Sequence, residues 1–352
     1  MDILGNEPIR EQFSSMIQRD RLHHCFLFEG PEGVGKFRTA KWLAQLLLCP
    51  KPIEKGVQAC GTCGSCVCVE REDHWNMVFV GLDPTKKKKQ ISVAQARELV
   101  KTVALYPQGG GKRVVIFDEA SSMTEEAANA LLKTLEEPPT ETIFILITTS
   151  AQHMLPTIRS RSQKVRFSPV PSAEIVEWLV AKGLAVEAKM VQMAQGCPGK
   201  VLSLLQGEYE QIEQTMHSVM QMIQEPLVDM YQRSKDMFGN FPSATASQMR
   251  AELLSRSLEC LEMLLRDIVV LQSMRLDINS MESIQLAALL YWPQHIVQIQ
   301  KWASRFDART IATLHREIEQ ARDDQEINVN PQLHIEMLVV LWKRAVSAGY
   351  LV

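Results

Sequence analysis

The sequence predicts an α/β domain with a parallel sheet, followed by domains built mainly of helices. Three short apolar runs, at 25–28, 114–117 and 143–147, each lead into a polar or glycine-rich turn. Helical patterns lie between them at 38–48 and 93–104. Continuously apolar strands that alternate with helices are typical of a parallel sheet covered on both faces.

The composition changes beyond residue 167. Of the 17 methionines, 12 lie beyond residue 189, and from about 210 onward the pattern is helical. Methionine fills irregular helical cores well, so we interpret these residues as core packing. The changes in pattern predict three domains, at 1–168, 169–208 and 209–352.

The charge balance bears on possible partners. The net charge is −3, and the pI is about 6.3. A protein that grips DNA unaided is usually more basic, so we expect any contact with nucleic acid to occur within an assembly. Four lysines at 86–89 are interpreted as a solvated loop rather than a DNA contact.

The first residues and the cysteines bear on where in the cell the protein is located. The acidic start has no apolar core, which argues against a signal peptide, and no apolar stretch approaches the roughly 18 residues of a membrane span. Eight cysteines without a secretory signal favour thiols or metal ligands over disulfides. We expect a cytoplasmic protein with no membrane contact.

The turn after the first strand is a phosphate-binding motif. "GPEGVGKF" at 30–37 has the form G-x-x-x-x-G-K, and it follows a strand and opens a helix. Backbone N–H groups at Gly30, Gly33 and Gly35 can surround phosphate oxygens at a helix N-terminus. Lys36 would reach the β- and γ-phosphates of a nucleotide.

Phe37 breaks this motif. A Ser or Thr hydroxyl at this position normally helps to hold Mg²⁺, and the phenyl ring has no oxygen to offer. Thr39 cannot substitute, because two residues along a helix turn the side chain by about 200°. The sequence therefore predicts that ATP and Mg²⁺ bind weakly or not at all, and that hydrolysis is poor.

The strand at 114–117 ends in two carboxylates, Asp118 and Glu119. In nucleotide sites of this kind the Asp lies near Mg²⁺, and the Glu can polarise a water. A helix follows at 125–137, where Thr124 can cap the start and two prolines end the run.

Four cysteines between the loop and this strand have metal-ligand spacing, C-x10-C-x2-C-x2-C: Cys49, Cys60, Cys63 and Cys66. Four thiolates suit tetrahedral Zn²⁺ in a closed, structural site. An iron–sulfur cluster is chemically allowed, and Cys68 and His74 are further candidate ligands. Cys25, Cys197 and Cys260 are interpreted as buried small hydrophobes.

Several motifs occur together in a fixed order: "GPEGVGKF", "VVIFDEA", "NALLKTLEEPP", "ITTS" and "LPTIRSRSQKVRF". In this order they resemble the AAA+ subunits of bacterial DNA polymerase III clamp loaders, over residues 1 to about 210. The resemblance implies an AAA+ domain with a RecA-like sheet and a zinc module at 49–66, then a small helical lid and an all-α C-terminal collar.

The resemblance also implies roles for individual residues. Thr148 or Thr149 is similar to the sensor of the γ-phosphate, and Lys200 in "GCPGK" to the second sensor. Arg161 resembles the arginine finger that the family places on a neighbouring subunit's nucleotide. The family motif "SRC" reads "SRS" here, with Ser162 replacing the cysteine.

Within this family, "LPTIRSR" and Phe37 favour a non-motor subunit with little or no ATPase activity of its own. Such a subunit would help to load the sliding clamp onto primer–template DNA, in a hetero-pentamer with gamma/tau and delta subunits. The alternative is an active motor subunit of the gamma/tau type, which shares "LKTLEEPP". A small-molecule P-loop kinase and a zinc-based DNA-binding module are less consistent with "SRS" and with the acidic pI.

Overall fold

A computed structural model describes residues 3–53, 58–82, 90–109, 111–139, 141–239, 241–242, 245–274, 289–324 and 329–348. The lysine run at 86–89 lies outside these residues. The chain divides into two compact units. We call them the sheet unit (Met1–Glu187 and Ala194–Leu202) and the helical unit (Ala188–Met193 and Ser203–Val352).

The sheet unit is organised around five parallel strands in the order β2-β3-β4-β1-β5. The strands are β1 (Cys25–Glu29), β2 (Met77–Val80), β3 (Arg113–Phe117), β4 (Thr142–Thr148) and β5 (Gln163–Arg166). The three predicted strands are the central ones, and their side chains are almost all buried. The two edge strands were not predicted.

Helices of the sheet unit follow the strands closely. They are α1 (Glu7–Gln18), α2 (Lys36–Leu48), α3 (Gly64–Arg71), α4 (Val93–Ala104), α5 (Glu125–Glu136), α6 (Pro156–Arg159) and α7 (Ser172–Ala181). The Thr124 hydroxyl accepts the Ala127 N–H at 3.2 Å, so the predicted cap of α5 is present. A short helix, Pro198–Ser203, has all but its last residue in this unit.

Alternation along the strands produces two apolar layers, one on each face of the sheet. Phe26 and Phe28 face α1 and α2, and pack with Phe13 and Leu43. The residue between them, Leu27, points to the other face and packs against the layer formed by α4, α5 and α6. The prediction of a parallel α/β sheet covered on both faces is confirmed.

The first helix of the helical unit is α8 (Ala188–Met193). The short helix Pro198–Ser203, described above, follows it in the chain and is labelled α9. Its other helices are α10 (Tyr209–Gln224), α11 (Leu227–Gly239), α12 (Ala246–Ser273), α13 (Ile296–Ala303), α14 (Ala308–Asp324) and α15 (Pro331–Ala348). The long α12 packs against α10, α13, α14 and α15. Most methionines described here are buried, including Met190, Met216, Met222 and Met263, as expected for core packing.

A buried carboxylate in α12 orders the segment that enters α13. Asp267 is fully buried and accepts the backbone N–H groups of Tyr291 at 3.0 Å and Trp292 at 2.9 Å. Burial raises its pKa, and these two hydrogen bonds oppose the rise. The Lys189 ammonium lies 4.6 Å from the Trp292 ring, which ties α8 to the same segment.

The division into domains at 168/169 and 208/209 stays a prediction. Among the helices in the described ranges, none combines the length and apolarity needed to cross a bilayer.

Candidate functional site

A cleft of about 470 Å³ lies in the sheet unit at the carboxyl ends of the central strands. The loop after β1 and the residues that end β3 and β4 meet there, as expected for a ligand site on an open parallel sheet. Its wall includes most of the predicted nucleotide-site residues: Gly33, Gly35, Lys36, Phe37, Asp118, Glu119, Thr148 and Thr149.

The glycine loop is covered by the first residues of the helix Pro198–Ser203, which belong to the same unit. Gly33 has a left-handed backbone with φ 74°, and its carbonyl accepts the Gly199 N–H at 2.8 Å. A Cβ at Gly33 would lie 2.8 Å from the Lys200 backbone nitrogen. Only glycine therefore allows the start of the helix Pro198–Ser203 to lie on the loop. Lys200 contributes its backbone here and is not part of the cleft wall.

The Lys36 ammonium is directed back onto its own loop. Its Nζ donates to the carbonyls of Gly30 at 2.5 Å and Pro31 at 2.7 Å. The residue is only 7% exposed, and burial lowers its pKa, while the negative charge of Glu32 opposes that shift. A phosphate would have to compete with these two carbonyls for the lysine.

Phe37 lies on the cleft wall, where the motif would place a hydroxyl. Its ring packs edge-on against Phe79 at a centroid distance of 5.7 Å, so it forms part of an apolar contact. Nearby, burial raises the pKa of Asp118, although its carboxylate accepts the Glu119 N–H at 3.2 Å. The structure brings the two carboxylates to the loop without supplying a hydroxyl ligand from residue 37.

The two candidate sensor threonines differ in whether their hydroxyls are available to a ligand. Thr148 is buried, and its hydroxyl donates to the Ser150 carbonyl at 2.9 Å and accepts the Ser150 N–H at 3.2 Å. Thr149 is exposed on the cleft wall. The geometry therefore favours Thr149 as the residue that could contact a ligand.

Arg161 lies away from this cleft, in an open depression that His23 and His24 also line. Its Nε donates to Glu136 Oε1 at 2.8 Å, and its Nη2 donates to the same oxygen. Its Nη1 donates to the Thr157 carbonyl at 2.8 Å. The candidate finger is therefore ordered on the surface of its own chain.

The four predicted ligand cysteines come together, with all four Sγ atoms within 4.8 Å of one another. The Sγ of Cys60 lies 3.6 Å from that of Cys49 and 3.9 Å from that of Cys66. A Zn–S bond of about 2.3 Å implies sulfur atoms about 3.8 Å apart in a tetrahedron. These thiols therefore have the number and separation that Zn²⁺ requires.

Backbone contacts prepare the same site. Cys63 caps α3, with its sulfur accepting the Cys66 N–H at 3.4 Å. Hydrogen bonds from neighbouring groups lower the pKa of Cys60 to about 6. Burial and the adjoining thiols raise that of Cys66. Cys68, the other candidate thiol nearby, is outside the four-sulfur cluster.

The cysteine module is fixed to α2, the helix that the glycine loop opens. Buried Gln45 donates to the Cys66 carbonyl at 3.0 Å. His74, the other spare candidate, serves this packing instead of joining the sulfur cluster. Its Nδ1 accepts the Asn76 N–H at 3.1 Å, so Nε2 carries the proton and donates to Ser65 Oγ at 2.8 Å. Burial lowers the pKa of His74.

Sequence reasoning missed two partners at these sites. Glu136, which binds Arg161, stands in the quoted motif "LKTLEEPP", but its partner lies 25 residues away along the chain. Gly199, which binds the glycine loop, stands in "GCPGK", where only Lys200 was singled out. In both cases the sequence shows the motif but does not show which residue it contacts in the fold.

Comparison with known proteins adds independent findings. Residues 5–171 match the family model described as DNA polymerase III, delta subunit. The chain is 34% identical over 212 residues to DNA polymerase III subunit delta' of Escherichia coli, covering 59% of this chain and 62% of that protein. It is 36% identical over 222 residues to the same subunit of Pseudomonas aeruginosa, covering 61% and 66%.

A protein named gamma/tau also matches. The chain is 33% identical over 212 residues to DNA polymerase III subunit gamma/tau of Mycobacterium tuberculosis, covering 58% of this chain and 36% of that protein. The matches to delta' span a little under two thirds of those relatives. By these identities, and by a family model that covers a little under half of its length, the chain is similar to DNA polymerase III subunit delta'.

Proposed function

We propose that this chain is the delta-prime subunit of a bacterial DNA polymerase III clamp loader. In this role it is a non-motor AAA+ subunit that helps to load the sliding clamp onto primed DNA. Its partners are gamma/tau and delta subunits in a hetero-pentamer, and it meets the clamp and primer–template DNA as part of that assembly. The relatives named DNA polymerase III subunit delta' support this role.

The observation that carries the non-motor role is the altered glycine loop. Phe37 removes the hydroxyl that helps to fix Mg²⁺, and its ring is committed to an apolar contact with Phe79. Lys36 is bound to carbonyls of its own loop. Where nucleotide binds, Gly33, Gly35, Lys36, Asp118, Glu119 and Thr149 would surround it. We expect the isolated chain to hydrolyse ATP negligibly.

Arg161 is the residue that we assign to catalysis in trans. A guanidinium directed at a neighbour's nucleotide stabilises charge on the transferring phosphate. Its half-exposed position, away from the chain's own cleft, supports a role toward a second subunit. A subunit can therefore lose its own hydrolysis and still serve the assembly.

We assign the four-cysteine module to one structural Zn²⁺ per chain, held by Cys49, Cys60, Cys63 and Cys66. These four thiolates would hold the ion in a structural role, joining the C-cap of α2 to the N-cap of α3, with no ligand position left for a substrate. The sulfur separations support this assignment.

The alternative is an active motor subunit of the gamma/tau type. Lys36, Asp118 and Glu119 are retained, and the match to a gamma/tau protein favours this possibility. Steady-state ATP hydrolysis by the purified full chain separates the two functions. Turnover of about 1 s⁻¹ or more, within the usual enzyme range, would identify a motor, whereas the proposal predicts a rate near background.

A further inference from the structure

The guanidinium of Arg161 is held by a set of contacts that uses most of its donors. Nε and Nη2 both donate to Glu136 Oε1, the first at 2.8 Å. Nη1 donates to the Thr157 carbonyl at 2.8 Å and to Ser160 Oγ at 3.3 Å. A guanidinium has five N–H donors, so these four bonds leave one N–H on Nη2.

The position of Glu136 at the end of a helix indicates that its carboxylate serves to bind a cation. Glu136 is the last residue of α5, and Glu137 is the C-cap. The carboxyl end of a helix carries partial negative charge, so acidic side chains there are disfavoured. Thr157 and Ser160 hold the other edge of the guanidinium. Glu136 thus supplies the one charged contact in the set that orders Arg161.

The ordered guanidinium remains accessible. The side chain of Arg161 is 32% exposed and that of Glu136 is 46% exposed, so an anion can approach from solvent. A side chain that is already oriented loses less conformational freedom when it meets its target. The remaining Nη2 N–H can donate to a phosphate oxygen while the contacts with Glu136 persist.

We propose that Glu136 is a positioning residue for Arg161. It orients the guanidinium for a phosphate bound in the neighbouring subunit, and so rests on the role in trans proposed above. The competing possibility is a latch, in which Glu136 holds Arg161 away from its target. Positioning predicts that loss of the carboxylate slows the neighbour's hydrolysis, and a latch predicts the opposite.

The test uses the full chain in a reconstituted loader with clamp and primed DNA. The motor subunits that do not face Arg161 carry hydrolysis-inactivating substitutions, so that one site reports. We expect Glu136→Ala to lower kcat for ATP about two- to fivefold, the size expected for one half-exposed ion pair, with KM for ATP unchanged. Glu136→Gln keeps an oxygen acceptor and should fall between Ala and the parent.

Glu137→Ala is the matched control, because Glu137 is adjacent, exposed and absent from the contacts of Arg161 described here. It should behave as the parent. A kcat for Glu136→Ala that equals or exceeds the parent's would overturn positioning, as would an equal loss in Glu137→Ala. Melting temperatures of the variants exclude a folding defect, and the nearly isosteric Gln variant keeps the test decisive if Ala unfolds.

Arg161→Ala in the same loader separates the role of Arg161 as a finger from the role of Glu136 in positioning it. If it slows hydrolysis while Glu136→Ala does not, the positioning role is wrong and the finger stands. If Arg161→Ala is silent, the proposed finger is wrong, and the role of Glu136 is overturned with it.

Discussion

Replacing Cys63 with serine should release the metal and destabilise the sheet unit. Three thiolates remain, but the closed four-sulfur site is lost. Serine is also a good N-cap, so the cap that Cys63 provides to α3 is retained. The destabilisation should therefore report the metal and not the helix start.

The size of this effect follows from mass action. A ligand that binds only the folded state, at a thousand times its Kd, stabilises it by about 4 kcal/mol. A domain of about 150–250 residues loses about 2–4 °C in Tm per kcal/mol, and the sheet unit has this size. Loss of the metal should therefore lower its Tm by about 8–16 °C.

Metal analysis and calorimetry of the full chain test this prediction. The parent, purified without chelator, should carry about one Zn²⁺ per chain. Cys68→Ser is the matched control, since Cys68 lies in the same helix outside the sulfur cluster, and it should keep the metal. A parent protein without metal would refute the reasoning, as would equal metal loss in both variants.

Three further predictions concern packing, pH and assembly. Gly33→Ala should destabilise the sheet unit by about 2 kcal/mol or more, because its φ is 74° and the new Cβ would meet the Lys200 nitrogen; a urea midpoint equal to the parent's would contradict this. Stability should fall as the pH drops below about 6.5, because His74 takes up a proton in the unfolded chain before it does in the folded one, where its Nδ1 accepts the Asn76 N–H. His74→Gln should reduce that dependence, and an unchanged pH profile would exclude His74 as its source. A chain ending at residue 208 should keep its zinc but fail to co-elute with motor subunits, and normal co-elution would argue against assembly through the helical region.

The sequence predicted the parts of the fold that local pattern determines. The three central strands are buried on both faces, so each is a continuous apolar run that is easily recognised. In β5 only Val165 is buried, and its neighbours in the strand are polar. β2 has only four residues, which is too short to stand out as a strand. Edge strands such as these are defined by pairing with the next strand, and single-sequence patterns do not report that pairing.

In the candidate site, too, spacing predicted some residues, while other contacts required the folded structure. Spacing alone identified the four cysteines, because short separations bring thiols together by local geometry. The contacts of Lys36 with its own loop, and of Arg161 with Glu136, depend on side-chain direction and on tertiary packing. They became visible only once the elements were placed.

The central claim is that this chain serves the assembly through Arg161 and not through its own glycine loop. The most direct test compares Arg161→Ala with Lys36→Ala in the reconstituted loader, with clamp and primed DNA present. Arg161→Ala should slow hydrolysis at the facing neighbour's site by on the order of 10³, with a smaller loss in the whole loader because other sites continue. Lys36→Ala should change little. If Lys36→Ala abolishes activity while Arg161→Ala is silent, the chain is a motor, and the account of Phe37 is wrong.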